Sequence, residues 1–394
     1  MDPRAIRSFV DRLLALATPA AGAQLRTASE KLVDDLVNAW GDVYTRAHVR
    51  NMVTNILRDA NGPCAAGELD ARFRQLVEDH RTFDAVYWLP VYVVGVALEV
   101  DPLTLGDAEL RLLERSQVEA GLASRVVKGF DAEAAMLDLY PFWDGVHVVC
   151  EEKAMWPLAV ERAASRASRS AELVQYAAIL LRAHNPPIVG IQGEMVAQPH
   201  TQLGVDSGVQ RLQMARHWPL AQAPFGINSS SITDMQVASV FWLADKADGA
   251  ASARTQIHEA LLRAVHWLAV GHRQRDAANQ VLSYVIALEA LWAQDSGTGI
   301  SHTVAEGTAL LLADDGPSRR ATYSRIRDYY SIRSRTAHGE RAGDITDDAL
   351  RCLRRYVAES ISALARRARE REEAGDPWKT VQDVHAWVAK QRFA

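Results

Sequence analysis

The side chains best able to do chemistry crowd into one segment, Tyr329-Tyr330-Ser331-Ile332-Arg333-Ser334-Arg335-Thr336-Ala337-His338-Gly339-Glu340. From Arg319 to Arg341 there are seven arginines and only two acidic residues, Asp328 and Glu340. Arginine presents a fixed fork of donors that matches a phosphate. Histidine, with an ordinary pKa of about 6.5, gives and takes protons near neutrality. The stretch Arg351–Arg371 is equally basic but holds no histidine, so the imidazole at His338 sets the earlier segment apart. Arginine plus histidine beside a phosphodiester is a minimal kit for cutting RNA, because the ribose 2′-hydroxyl supplies the nucleophile and no metal is required.

Residues five apart on a regular helix are rotated by about 140°, so Arg333 and His338 would not share a face. They converge only if the helix ends at His338, which Gly339 favours, or if two chains each contribute part of one site. The second route puts this helix end at a dimer interface. The pattern itself is short: Arg74…His80 and Arg211…His217 resemble it, and only Arg333…His338 has four intervening residues. Context has to decide between a site and a solvated basic face.

That context is a resemblance. Tyr330, Arg333-Ser334 and His338-Gly339 are similar to the signature of the HEPN superfamily, in its Apea-like branch, and the upstream Ala287-Leu288-Glu289-Ala290-Leu291 resembles that branch's Leu-Glu helix. The likeness spans roughly Ala251–Arg371, about a third of the chain. It implies a metal-independent endoribonuclease in which two bundles pair and bring their Arg–His motifs to one cleft. His338 would then be the general base or acid at the 2′-hydroxyl or the leaving 5′-oxygen, and Arg333 would hold the scissile phosphate and stabilise its developing charge. Ser334 would donate to a phosphate oxygen or orient His338, or be a plain helix hydroxyl. Glu289 would bind Arg333 or the imidazole, or sit at an ordinary surface position. Tyr330 would be the motif's supporting aromatic, and Arg327 and Arg335 would touch RNA backbone or stay solvated. Some members carry an adenylylated Tyr two residues after the His; here that position is Glu340, so the resemblance gives no support for that control. It also admits a non-catalytic dimerisation or RNA-binding scaffold, and it suggests a toxin or anti-phage effector acting by abortive infection.

A different chemistry is weakly suggested at Asp144, Glu151 and Lys153, an Asp…Glu-x-Lys arrangement in which carboxylates at strand ends would hold Mg²⁺ and a lysine would activate water. The plainer reading is an exposed strand end. His258, His266 and His272 are spaced by eight and six, which puts no ligand set on one face, and no HExxH, phosphate loop or GxSxG elbow occurs. No metal or cofactor is expected.

The elements that must position the motif are read from periodicity. The first 58 residues look helical, with Ile6, Phe9, Val10, Leu13 and Leu14, then Val33, Leu36, Val37 and Trp40, on a 3.6 period, up to Asn61-Gly62-Pro63. A short helix is expected at Leu69–Asp79, strands at Val86–Val100, at Leu103–Leu113 bent by Gly106, and at Val146–Cys150. A long helix is expected over Trp156–Arg182, stopped by Asn185-Pro186-Pro187. Extended chain follows at Ile188–Val196, then a turn-rich stretch at Pro224–Ser231 and one helix over Asp234–Ala247. From Ala251 five helices with short loops predict an antiparallel bundle. The expected fold is thus an α+β N-terminal region followed by an all-α C-terminal bundle. Its parts are a helical segment (1–60), an α+β region that senses an unknown trigger (61–250), the HEPN-like bundle (251–372) and a tail helix (373–394).

At 394 residues with 48% hydrophobic and 24% charged, the chain is globular in composition, not disordered or collagenous. Three cysteines with no CxxC pair (Cys64, Cys150 and Cys352) exclude a disulfide framework and suit a reducing compartment. An apolar N-terminal stretch broken by Asp11 and Arg12 does not read as a signal peptide, and no run reaches the roughly 20 apolar residues of a membrane span. A soluble, cytoplasmic protein is expected. The net charge of −5 is uneven: 21 Lys and Arg meet 18 Asp and Glu after Gly249-Ala250, against 23 and 31 before, so a polyanion such as RNA would meet the C-terminal part. A homodimer or higher even oligomer is expected.

Overall fold

The computed structural model describes residues 22–40, 43–60, 87–114, 145–182, 184–191, 200–206, 211–217, 223–249, 251–292, 299–338 and 345–391, with a few isolated positions besides. The expected helix around Ile6–Leu14, the turn at Asn61-Gly62-Pro63, most of Leu69–Asp79, residues 192–196, Cys64 and Asp144 lie outside them. The chain divides into two compact units: Met1–Leu89 with Cys150–Ser165, and Pro90–Val149 with Arg166–Ala394.

In the first unit, α1 (Gly22–Trp40) packs on α2 (Arg46–Ala60). Leu32, Val33 and Leu36 on one helix and Val49 and Val53 on the other recur at helical spacing and are all buried. Across their exposed edge Arg46 pairs with Asp34 and Glu30, and Arg50 with Glu30 at 2.9 Å. Exposed pairs of this kind stabilise by under about 1 kcal/mol each.

The second unit contains most of an antiparallel sheet. Its strands are β1 (Tyr87–Val94), β3 (Leu103–Leu105), β4 (Ala108–Leu113), β5 (Gly145–Glu152) and β6 (Gly190–Ile191), in the order β3-β4-β5-β1-β6, while β2 (Val96–Leu98) pairs elsewhere. β4 runs antiparallel to β5 from Glu109↔Val149 to Leu113↔Gly145. The bend expected at Gly106 is a tight turn that needs its φ of +60°, a conformation only glycine adopts freely. A Cβ there would stand 2.2 Å from the Asp248 carboxylate.

Helix α3 (Trp156–Leu181) runs as expected. Every residue from Ala171 to Ile179 is buried, the pattern of a helix covered on all sides. Gln175, fully buried, clips the Pro-Pro stop behind it: its amide donates to the Pro187 carbonyl at 2.9 Å, and its carbonyl accepts from Val189 N at 2.6 Å.

Two expectations change in the middle of the chain. The strands β7 (His200–Asp206) and β8 (Arg211–His217) form an antiparallel pair that the sequence reading did not anticipate. Leu203, Val205, Leu212 and Met214 alternate too sparsely among polar residues to announce it. Further on, the turn-rich Pro224–Ser231 contains β9 (Phe225–Ile227), parallel to β2, and the start of α4 (Ser229–Val237), capped reciprocally by Asn228 and Ser231. The single helix expected over Asp234–Ala247 is two, because α4 stops and α5 (Val240–Asp248) begins at Ser239, whose φ is 61°. No Gly, Pro or Asn marks the break. A tertiary bond accompanies it: the Tyr176 hydroxyl donates to the Ala238 carbonyl at 3.2 Å. Asp248 at the end of α5 accepts from Asp107 N at 2.8 Å and pairs with Arg169 at 3.4 Å, so Asp248-Gly249 lies within this unit.

The remaining helices are α6 (Gln256–Arg273), α7 (Ala277–Trp292), α8 (Ile300–Leu312), α9 (Gly316–Ala337), α10 (Asp347–Glu373) and α11 (Val381–Lys390). α6 and α7 pack on each other and on α10, and α9 packs on α7 and α8. Close approach of α7 and α8 depends on Gly307, where a Cβ would fall 2.6 Å from the Trp292 ring. The tail helix α11 buries Val381, Val384 and Val388, and His385 Nε2 meets the Trp292 carbonyl at 2.9 Å, occupying an end of α7 that the helix cannot satisfy itself. A buried polar chain crosses the helices: His272 Nε2 lies 3.1 Å from the Pro186 carbonyl, and its Nδ1 3.3 Å from Arg354 Nη1. Among the described residues no helix is long and apolar enough to cross a membrane.

Candidate functional site

Helix α9 carries most of the motif. Asp315 starts it by accepting from Ser318 N at 2.8 Å, with Pro317 in the first turn where a missing N–H costs nothing. Hydrogen bonds from Ser318 hold the Asp315 carboxyl below its usual range, helped by Arg319. Thr322, Ile326 and Tyr329 form the buried stripe. Most arginines are therefore left on the solvent side.

The helix stops at Ala337, and His338 is its C-cap: the backbone N–H of His338 reaches Ser334 O at 3.1 Å and Arg335 O at 3.2 Å. His338 is exposed, and its ring makes no hydrogen bond or ion pair among the described residues. Gly339 and Glu340 lie outside them.

Packing of α9 on α7 brings Glu289 to Arg333, with an Nη2–Oε2 distance of 3.5 Å. Of the two partners open to Glu289, the guanidinium is the one it meets. The Arg333 side chain keeps 35% of its exposure and that of Glu289 20%, so the pair is shielded but not sealed. Tyr330, nearly one turn back, completes the group. Burial foremost, and then the Glu289 charge, push its phenol pKa well up, so it remains a neutral O–H at working pH. Arg333 Nε is buried without a hydrogen-bond partner among the described residues, while the Tyr330 phenol lies beside the Glu289 carboxylate.

The other predicted residues are more dispersed. Ser334 and Arg335 are exposed, with no side-chain partner among the described residues. Arg327 donates to Ser301 Oγ at 2.9 Å, at the start of α8. Beside it lies a histidine that the sequence did not single out: His302 Nδ1 is 2.9 Å from Tyr323 Oη, and its Nε2 is 3.8 Å from Glu306. The residues come from two helices, and only their packing unites them. Spacing along the chain carried no signal for it.

At the other suggested site, Glu151 and Lys153 are exposed at and just past the end of β5. Asp144 lies outside the described residues, and among those described no group of three or more His, Cys, Asp or Glu is placed to hold a metal ion. Compared with protein-family models, curated proteins and solved structures, the chain matches none.

Proposed function

We propose that residues 251–372 are a HEPN-type bundle and that the protein is a metal-independent endoribonuclease acting as a homodimer, in the manner of a toxin or anti-phage effector. The observation that carries this reading is the arginine of the motif, fixed by a carboxylate from the neighbouring helix, five residues before an unengaged imidazole at the helix end. An arginine so held meets a phosphodiester without first losing its rotamer freedom.

In the proposed reaction His338 takes the proton of a ribose 2′-hydroxyl, whose oxygen attacks the adjacent phosphorus. The bond to the 5′-oxygen breaks, a 2′,3′-cyclic phosphate forms, and the leaving oxygen receives a proton from an imidazolium. Arg333 neutralises the charge gathering on the phosphoryl oxygens. Two copies of the bundle, each presenting an α9 end, would supply both proton-transfer roles at one cleft.

A second reading has an observation of its own. The Arg333–Glu289 pair also serves as a plain structural tie, which fits a non-catalytic dimerisation or RNA-binding scaffold. Cleavage of RNA in EDTA separates the two. Under the enzymatic reading Arg333→Ala and His338→Ala each lower cleavage by about a hundredfold or more, with dimerisation intact. Glu289→Gln leaves the fold and weakens cleavage less. Equal degradation by all variants, or activity that needs Mg²⁺ and stops on Glu151→Ala, overturns the proposal.

A further inference from the structure

Between α9 and α10 opens a cleft of about 640 Å³ whose walls include Arg325, Arg351, Arg355 and His184, and neither Arg333 nor His338. Its volume falls in the range of about 300–1,000 Å³ typical of small-molecule sites. The three guanidiniums differ in how they are engaged. Arg351 pairs with Asp348 at 2.8 Å, and Arg355 lies 3.6 Å from Glu359. Among the described residues Arg325 is held only by neutral acceptors, Tyr356 Oη at 3.3 Å and Cys352 Sγ at 3.6 Å. Its direction is therefore fixed while its charge is not cancelled by a carboxylate. This is a preformed anion contact.

The cleft is not a pure anion site. Asp328 and Asp348 also line it, and two carboxylates repel inorganic phosphate or a run of nucleic-acid backbone. A ligand must offer both an anion for the arginines and hydroxyl donors for a carboxylate. The third chemistry is apolar: Tyr329, Ile332 and Ala349 form part of the wall, and the Tyr329 hydroxyl is already spent on the Ala349 carbonyl at 2.9 Å. The phenol, only 6% exposed, therefore brings no free donor and little more than an edge to the wall, and the half-buried Ile332 supplies the main apolar contact. Phosphate, vicinal hydroxyls and a flat apolar ring occur together in a ribonucleotide.

We infer that this cleft binds a ribonucleoside phosphate, with its phosphate on Arg325 and Arg351, its ribose hydroxyls on Asp328 and its base against the apolar wall at Ile332. The site is separate from the residues proposed to cut RNA.

The test is calorimetric titration of the full chain with AMP, GMP, CMP and UMP in turn, beside 2′-deoxy-AMP, adenosine and inorganic phosphate. At least one ribonucleotide is expected to bind more tightly than about 1 mM, and both adenosine and phosphate at least about tenfold more weakly than AMP if AMP is the ligand. Arg325→Gln, and independently Arg351→Gln, should weaken nucleotide binding about tenfold or more while the unliganded melting temperature stays put. Asp328→Asn should narrow the preference for ribose over deoxyribose, and Arg333→Ala should leave nucleotide affinity unchanged. No binding by any ribonucleotide, affinity untouched by both arginine variants, or phosphate alone binding as well as the nucleotides overturns the inference. Loss of nucleotide affinity in Arg333→Ala with retention in Arg325→Gln also overturns it, because the ligand then sits on the motif.

Discussion

Replacing His272 by glutamine tests the buried polar chain directly. The imidazole faces Arg354 from α10, Arg273 on its own helix and the carbonyls of Pro186 and Pro187, and Arg354 in turn meets the Tyr284 phenol on α7. Burial foremost, then the Arg354 charge, push its pKa down to about 4. With Nε2–H donating to Pro186 and Nδ1 accepting from Arg354, the neutral ring satisfies both neighbours. A second ring proton would point at a guanidinium. The unfolded chain therefore takes up a proton near the ordinary value of about 6.5, whereas the folded chain does so only near 4. Stability is fully present above the unfolded value and falls as the pH drops through this window, by at most about 1.4 kcal/mol per pH unit. Integrated from pH 7 to pH 5, the loss is about 2 kcal/mol from this residue. Below the folded value no further loss occurs. Glutamine can make both bonds and does not titrate. Urea unfolding of wild type and His272→Gln at pH 7, 6 and 5 isolates the contribution, because His147, His258 and His385, also held down by burial, cancel in the difference. The wild type should lose about 2 kcal/mol relative to the variant over that interval. A difference flat within about 0.5 kcal/mol would refute the reasoning.

Two stability changes follow from backbone and packing. Ser239→Gly relieves a left-handed residue and removes a fully buried hydroxyl that has no partner among the described residues, against a smaller entropic cost in the unfolded chain. Stability should rise by about 1 kcal/mol in urea titration, and a fall would sink the account. Gly307→Ala gains about 1 kcal/mol of helix propensity but drives a methyl against the fully buried Trp292 ring, so a net loss of about 1–2 kcal/mol is expected in thermal melts. A stabilised variant would show that α7 and α8 separate easily.

The helices after residue 251 were legible because each buries one stripe and ends at a strong stop. Val281, Val285, Leu288 and Trp292 lie on the core side of α7, and Asp314-Asp315-Gly316-Pro317 both ends α8 and caps α9. The Gly106 turn and the Pro-Pro stop announced themselves by residue type in the same way. What stayed hidden depended on partners distant in sequence. The break at Ser239 sits beside a carbonyl bonded to Tyr176, 62 residues away from Ala238. The His302–Tyr323 contact spans 21 residues and exists only once two helices dock. The motif followed both rules. Its end at His338 was foreseeable from the chain, and Glu289 was a suitable partner in type, but its preference for Arg333 over the imidazole was a matter of packing.

The engagement of Arg333 has a consequence for selectivity. A guanidinium already neutralised by a carboxylate attracts stray anions poorly, so chloride or free phosphate gains little by visiting it. A polymer anchored at several neighbouring arginines can bring one phosphate within reach and share or displace Glu289 at that single point. Under the proposed nuclease function the ion pair would thereby act as a threshold, discounting small ions and favouring a ligand long enough to be held elsewhere along α9 at the same time.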